Sequence, residues 1–159
     1  MPNAGANPFS HEDLAPIAEV RHMLRRARKA ALSTIDRQSG YPYASLVAMA
    51  TEPDGAPVLL LSKLALHTKN IEADARASLL IEEASGRGDP LAGSRVTLTG
   101  CVRPVSRSTA ERRFLAIHPR RAMQTSRISA FSFLISSVLT SSAVSGGSYR
   151  WIAVKSWRT

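Results

Sequence analysis

Five short runs rich in apolar and β-branched residues follow one another between Ala30 and Val105. They read AALSTID (30–36), YPYASLVAMA (41–50), APVLLLS (56–62), ASLLIEE (77–83) and SRVTLTGCVRPV (94–105). Runs of this length bounded by turn residues read as strands. RQSG separates the first two, and EPDG, with its Pro and Asp-Gly, makes a hairpin turn between the second and third. The fourth and fifth are joined by SGRGDPLAG, a loop rich in Gly and Pro. Short strands, tight turns and no alternation of strand with helix argue against a parallel sheet. They predict a mainly β chain with flanking helices, folded as an antiparallel barrel or sandwich. A small barrel closes its own edges and leaves a rim where a ligand can sit.

Helices are expected in three places. Ile17, Val20, Met23, Leu24 and Ala27 recur at helical spacing, which predicts an amphipathic helix running to about Lys29. Ser10 and Asp13 form a capping pair at its start, and Pro16 falls in a first turn that tolerates it. Its arginines read as a solvated face. A short helix is expected over 70–75, and another from Ser108, capped with Glu111 three residues later, to His118. Residues 1–10 show no period and read as a flexible arm.

The 159 residues suit one domain with a real core. No apolar run is long enough to span a bilayer, and the N-terminus lacks the basic and apolar regions of a secretory signal. A cytoplasmic location with no membrane partner is therefore expected. Cys101 is the single cysteine, which excludes an intramolecular disulfide. It reads as a small packed residue rather than a nucleophile. The net charge of +9 raises the question of nucleic acid. Residues 1–111 carry 13 Lys+Arg against all 12 Asp+Glu, whereas residues 112–159 carry 8 Lys+Arg and no acid. The basicity is thus confined to the last third and scattered there, so no nucleic-acid partner is expected. His11, His22 and His118 show no metal-ligand spacing, and no metal is assigned. No Ser/His/Asp signature or dinucleotide glycine motif is present, and the catalytic residues stay unknown.

The chemically loaded stretch is LLLSKLALHTKNIEADARASLLI, Leu59–Ile81. An apolar run breaks off at Ser62 and Lys63, and His67, Thr68, Lys69 and Asn70 follow before a second apolar run. Two readings are open: a polar helix start with Thr68 as its cap, or a seat for an anion. Lys is a good phosphate ligand, Ser62 and Thr68 are neutral donors, and a helix start offers free backbone N–H groups. His67 is either a phosphate donor or an exposed loop residue.

The order of these features, with GYPYASLV, LLLSKLALHTKN and GDPLAGSRVTLTG as its most specific pieces, resembles the pyridoxamine 5'-phosphate oxidase-related flavin-binding split barrels. It looks closest to the branch that includes haem-utilisation proteins, and the likeness runs from about Val20 to about Pro119. The resemblance implies a split β-barrel of Greek-key type that binds FMN at a homodimer interface and acts on a small molecule as an oxidoreductase. By position, Tyr43, Ser45 and Val47 fall on the strand beside the flavin ring. Leu61 and Ser62 fall at the end of the next strand, and His67, Thr68 and Lys69 in the phosphate-binding turn. Arg95 falls where some members place a glutamine that reaches the flavin from the neighbouring subunit. The alternatives are a haem-binding or haem-degrading protein on the same barrel, or a truncated remnant without function. The related haem proteins take their ligand from near the C-terminus, and no His follows His118. Pyridoxamine phosphate oxidation proper is less expected, because the substrate-binding C-terminal segment cannot be placed.

On this reading the split-barrel domain spans residues 11–121, and an atypical Ser-rich basic tail spans 122–159. Thr125–Ser148 contain nine serines in 24 residues. The family's acidic–aromatic strand and GGFGR-type segment are missing there. Back-translating Ser137 to Thr159 one nucleotide out of register can give RFDVVGGFGRIVSVDRGQELAD, which restores both. Two readings of the tail are open: a frameshift product beginning near Met123, which would leave the barrel without its last native strand, or a lineage-specific Ser-rich tail. FSFLI and VLT in the tail still have a composition that permits strand pairing.

Overall fold

The computed structural model describes residues 11–83, 93–119, 128–144 and 148–154. The arm over 1–10, most of the SGRGDPLAG loop and the ends of the tail lie outside the described residues. Helix α1 spans His11–Arg26, and strands β1 Lys29–Ile35, β2 Pro42–Thr51 and β3 Pro57–Ser62 follow. Helix α2, Leu66–Ala73, leads to β4 Arg76–Glu82 and β5 Arg95–Pro104. Helix α3, Arg107–Ile117, then precedes β6 Ile128–Val144 and β7 Ser148–Val154.

The strands are antiparallel in the order β3-β2-β1-β4-β5-β6-β7, and β3 also pairs with β6. That last pairing closes β1 to β6 into a ring. The fourth strand returns, by way of α2, to lie beside the first, which is the Greek-key arrangement. The predicted split-barrel class is what the chain adopts. Both hairpin turns have local causes. At the first, the Asp36 carboxylate accepts from the amides of Gln38 and Ser39, and Gly40 takes φ 73°. At the second, Asp54 accepts from the Ala56 amide and Gly55 takes φ 89°. A left-handed φ of this kind costs a side chain strain that glycine avoids.

The interior follows strand alternation. Leu32 of β1, Val47 and Met49 of β2, Leu59 and Leu61 of β3, Leu79 and Ile81 of β4, and Val96 and Leu98 of β5 form one buried cluster. Helix α1 adds Val20, Met23 and Leu24, all at most 2 % exposed, at spacings that share a helix face. Burial of such side chains stabilises the fold by roughly 1.5–3 kcal/mol each. Helix α3 packs on the outside of the ring, where Ala110 joins Val58 and Ala130. His118, at its end, shares a 2.9 Å hydrogen bond from Nε2 with the Met49 carbonyl.

Strand β6 contains the FSFLI and VLT runs, whose composition permits strand pairing whatever the origin of the tail. Ile128–Val144 pairs along one edge with β5 from Arg95 to Pro104. On its other edge it pairs first with β3 and then with β7. One long strand, bulged opposite Thr99 and Gly100, thus closes the ring and carries an extra strand.

Candidate functional site

Strands β2 and β3 pair only at Met49–Leu59, Ala50–Val58 and Thr51–Pro57. Beyond that point they part. From Val58 to Ser62, β3 turns to β6, while β2 from Pro42 to Ala48 stays with β1. This leaves an opening between β2 and β3. Helix α2 follows β3 and packs mainly on β1, and its side chains bring Ser45 of β2 and Ser62 of β3 together with His67 and Thr68.

Helix α2 begins at Leu66, earlier than the 70–75 helix expected from sequence, with Ala65 as its N-cap and no side-chain cap. His67, Thr68 and Lys69 therefore belong to the first turns of the helix rather than to a turn ahead of it. Thr68 is fully buried, and its hydroxyl donates to the Ser62 carbonyl at 2.7 Å. The hydroxyl proton thus holds the β3–α2 turn together. The Ser62 hydroxyl accepts from the Leu64 amide at 3.3 Å and keeps its own proton on an exposed side chain.

Ser45 Oγ lies 3.1 Å from His67 Nδ1, which ties β2 to α2 across the opening. Burial holds the imidazole's pKa below its ordinary 6.5, so the ring is neutral at pH 7. With Nδ1 engaged by Ser45, Nε2 is the atom left for a ligand. If Ser45 donates, Nε2 carries the proton and suits an anionic oxygen. If Ser45 accepts, Nε2 presents its lone pair and suits a metal.

Sequence reasoning passed over Asn70. It is fully buried, and its amide nitrogen donates to Thr34 Oγ1 at 3.2 Å. Its Oδ1 accepts from the Arg37 amide at 3.1 Å. These bonds lock α2 against β1 and the β1–β2 turn. Asn70 closes the HTKN run, but nothing in the letters separates a buried amide from an exposed one.

The other predicted residues divide. Tyr43 is half-buried on the face of β2 that Ser45 shares. Val47 and Leu61 are 5 % and 2 % exposed within the core, so a ligand would meet their backbone rather than their side chains. Lys69 is half-buried one residue beyond Thr68. Arg95 stands apart within the chain: it pairs with Glu82 and Ser141 on β5, with β1 and β4 between it and β2. The expected capping pair of Ser108 and Glu111 is also replaced, since α3 has Ser106 as its N-cap with no side-chain cap bond. No helix among the described residues is long and apolar enough to cross a membrane.

A second feature concerns the outside of the sheet. Ala31 of β1 pairs with Leu46 on β2 and with Leu80 on β4, so the three side chains align on one face. Leu46 is 71 % and Leu80 42 % exposed.

Comparison with known proteins agrees with this architecture. A chloroplastic, non-canonical haem oxygenase of Arabidopsis thaliana, HOZ, is 36 % identical over 121 residues, covering 70 % of this chain. The chain spans only 36 % of that relative's length. A haem-binding protein of Mycobacterium smegmatis is 28 % identical with a TM-score of 0.75, over 87 % of this chain and 57 % of that one. The haem storage protein HutZ of Vibrio cholerae shares the fold, with a TM-score of 0.57 at 21 % identity over 76 % of this chain and 88 % of that one. The family model described as pyridoxamine 5'-phosphate oxidase matches residues 17–141, past Pro119, where the likeness was expected to end, and into β6. On that match and the shared split barrel, the chain belongs to the pyridoxamine 5'-phosphate oxidase family.

Proposed function

We propose that this chain is a homodimeric, FMN-binding, oxidoreductase-like protein that acts on a small molecule. The observation that carries the reading is the opening between β2 and β3, spanned by the Ser45–His67 contact and backed by the start of α2. The donor set fits a phosphate. The Ser62 hydroxyl, the Lys69 ammonium and the amides of Leu66 and His67 are donors of the kind a dianionic group needs, those of Thr68 and Lys69 being bonded to the Ala65 carbonyl. His67 joins them in the tautomer that leaves its proton on Nε2. Thr68 serves by holding the turn, and Tyr43, Ser45 and the backbone at Val47 line the strand beside which a flavin ring would lie. Leu61 closes the same corner from β3. Arg95 would reach the site from a second copy. When bound, FMN supplies one- and two-electron redox chemistry, while the chain binds and orients it and excludes water. The aligned Leu46, Ala31 and Leu80 supply the apolar face on which two copies would meet.

A second reading has specific support: the Arabidopsis and Mycobacterium relatives are both described by haem. On this reading the opening takes haem, and the other tautomer of His67 offers its Nε2 lone pair to iron. Absorbance of the purified protein decides between them. Flavin bands that survive gel filtration support the first reading. A Soret band that appears on adding haemin to flavin-free protein supports the second. A folded protein that retains neither group rejects both.

A further inference from the structure

A cleft of about 840 Å³ opens at the other end of β2, between α1 and α3. Thr51, at its edge, lies six residues along the strand from Ser45, or about 20 Å at 3.3 Å per residue. The cleft is therefore separate from the β2–β3 opening. Arg25 enters it from the last turn of α1, and Arg112 and Arg113 enter from α3. One carboxylate shares the lining, that of Glu52, with Pro53 and Ile117 as apolar wall. Glu52 Oε2 stands 3.9 Å from Arg113 Nε, too far for a hydrogen bond and at the limit of an ion pair.

Three guanidinium groups against one carboxylate leave the cleft with a local charge of about +2. Gathering like charges in one concavity works against folding unless an anion offsets them. Guanidinium forks match phosphate oxygens in pairs, and a loosely held Glu52 can yield Arg113 to a better partner. We infer that this cleft is a second anion site, which takes a phosphate monoester whose apolar body rests on Pro53 and Ile117. The inference is independent of whether flavin or haem occupies the β2–β3 opening.

Phenyl phosphate is the probe, with phenol as its uncharged counterpart, titrated calorimetrically into the full chain at low salt. The expected result is measurable binding of phenyl phosphate and none of phenol. Arg112→Ala and Arg113→Ala should each weaken it about tenfold or more, as loss of a charge-assisted bond does. Glu52→Gln should tighten it, because the competing carboxylate is gone. Arg76→Ala, at an exposed arginine of β4 outside the cleft, should leave it unchanged. These side chains are exposed or lie at the surface, and unchanged circular dichroism verifies that each variant folds. No binding at millimolar probe, equal binding of phenol, or loss of binding in Arg76→Ala with the Arg112 and Arg113 variants intact would overturn the inference.

Discussion

Ser45 on β2 and His67 on α2 stand 3.1 Å apart at the place where β2 has stopped pairing with β3. This contact does for the opening what ladder hydrogen bonds do elsewhere in the ring. Ser45→Ala removes it and leaves a half-buried ring nitrogen without its partner, at an expected cost of about 1–2 kcal/mol. Urea unfolding measures that loss. FMN retention should fall with it, whereas Ser33→Ala, on the opposite face of β1, should change neither. Equal effects from the two substitutions would remove Ser45 from the site.

The same imidazole sets a pH dependence. Burial lowers the folded-state pKa of His67 below the ordinary value of 6.5. Below pH 6.5 the unfolded chain then takes up a proton that the folded chain refuses. Its contribution to stability is fully present above 6.5 and declines as pH falls toward the lowered folded value. Urea midpoints between pH 7.5 and 5 should fall with acidification, and the slope should flatten in His67→Gln. NMR titration of the ring should place its midpoint below 6.5. A midpoint above that value would reverse the sign and refute the assignment.

Asn70 is the structural anchor of the helix that carries His67 and Lys69. Asn70→Leu leaves the Arg37 amide and the Thr34 hydroxyl without their present partner. Each group so left costs about 1–3 kcal/mol, so a total loss of about 2–6 kcal/mol is expected from chemical denaturation. Hydrogen exchange should locate the loosening in α2 and the β1–β2 turn. A loss below about 1 kcal/mol would mean that water replaces both contacts.

The barrel was legible in the sequence because period-two runs and two hairpin turns state it directly. Asp36 with Gly40, and Asp54 with Gly55, do in space what their letters promise. The start of α2 was misplaced because Thr68, a residue type that caps helices, suggests a start after it; Ala65 is the N-cap, and the bond of the buried Thr68 hydroxyl to the Ser62 carbonyl fixes the helix instead. Thr68 itself read as a phosphate donor, since burial of a hydroxyl is not written in its neighbours. Arg25 read as part of a solvated face and is exposed, but that it also lines a cleft depends on α3, far along the chain. Strand β6 was obscured by composition: nine serines in the span 125–148 hide a run that still alternates well enough to pair on both edges.

Lys69 and Thr68 should separate binding from folding. Lys69→Ala should weaken FMN by about 1.5–3 kcal/mol, roughly ten- to a hundredfold, through loss of a charge-assisted contact. Its effect on the urea midpoint should be small, as for a residue that keeps access to water. Thr68→Val should do the reverse, costing about 0.5–1.5 kcal/mol of stability because the Ser62 carbonyl keeps only the Ala65 amide as donor. Fluorescence quenching on flavin titration measures the first and denaturant unfolding the second. Unchanged FMN affinity in Lys69→Ala would dismiss the phosphate seat.

The dimer can be tested on the outer sheet face. Leu46 and Leu80 flank Ala31 across three strands, and Leu46 is 71 % exposed in the single chain. An arginine at an exposed position costs the isolated fold little, typically within about 0.5 kcal/mol. Placed at the centre of an apolar interface it meets its own copy across the two-fold axis, which adds repulsion and desolvation to lost contact area. Leu46→Arg should therefore turn a dimer into a monomer of near-normal thermal stability, read by light scattering on gel filtration. If Arg95 completes the site from the second copy, flavin should be lost from that monomer. Lys69→Ala, by contrast, should lose flavin and remain a dimer. A wild-type chain that elutes as a monomer at micromolar concentration, or a Leu46→Arg dimer, would place the interface elsewhere and leave Arg95 without a path to the opening between β2 and β3.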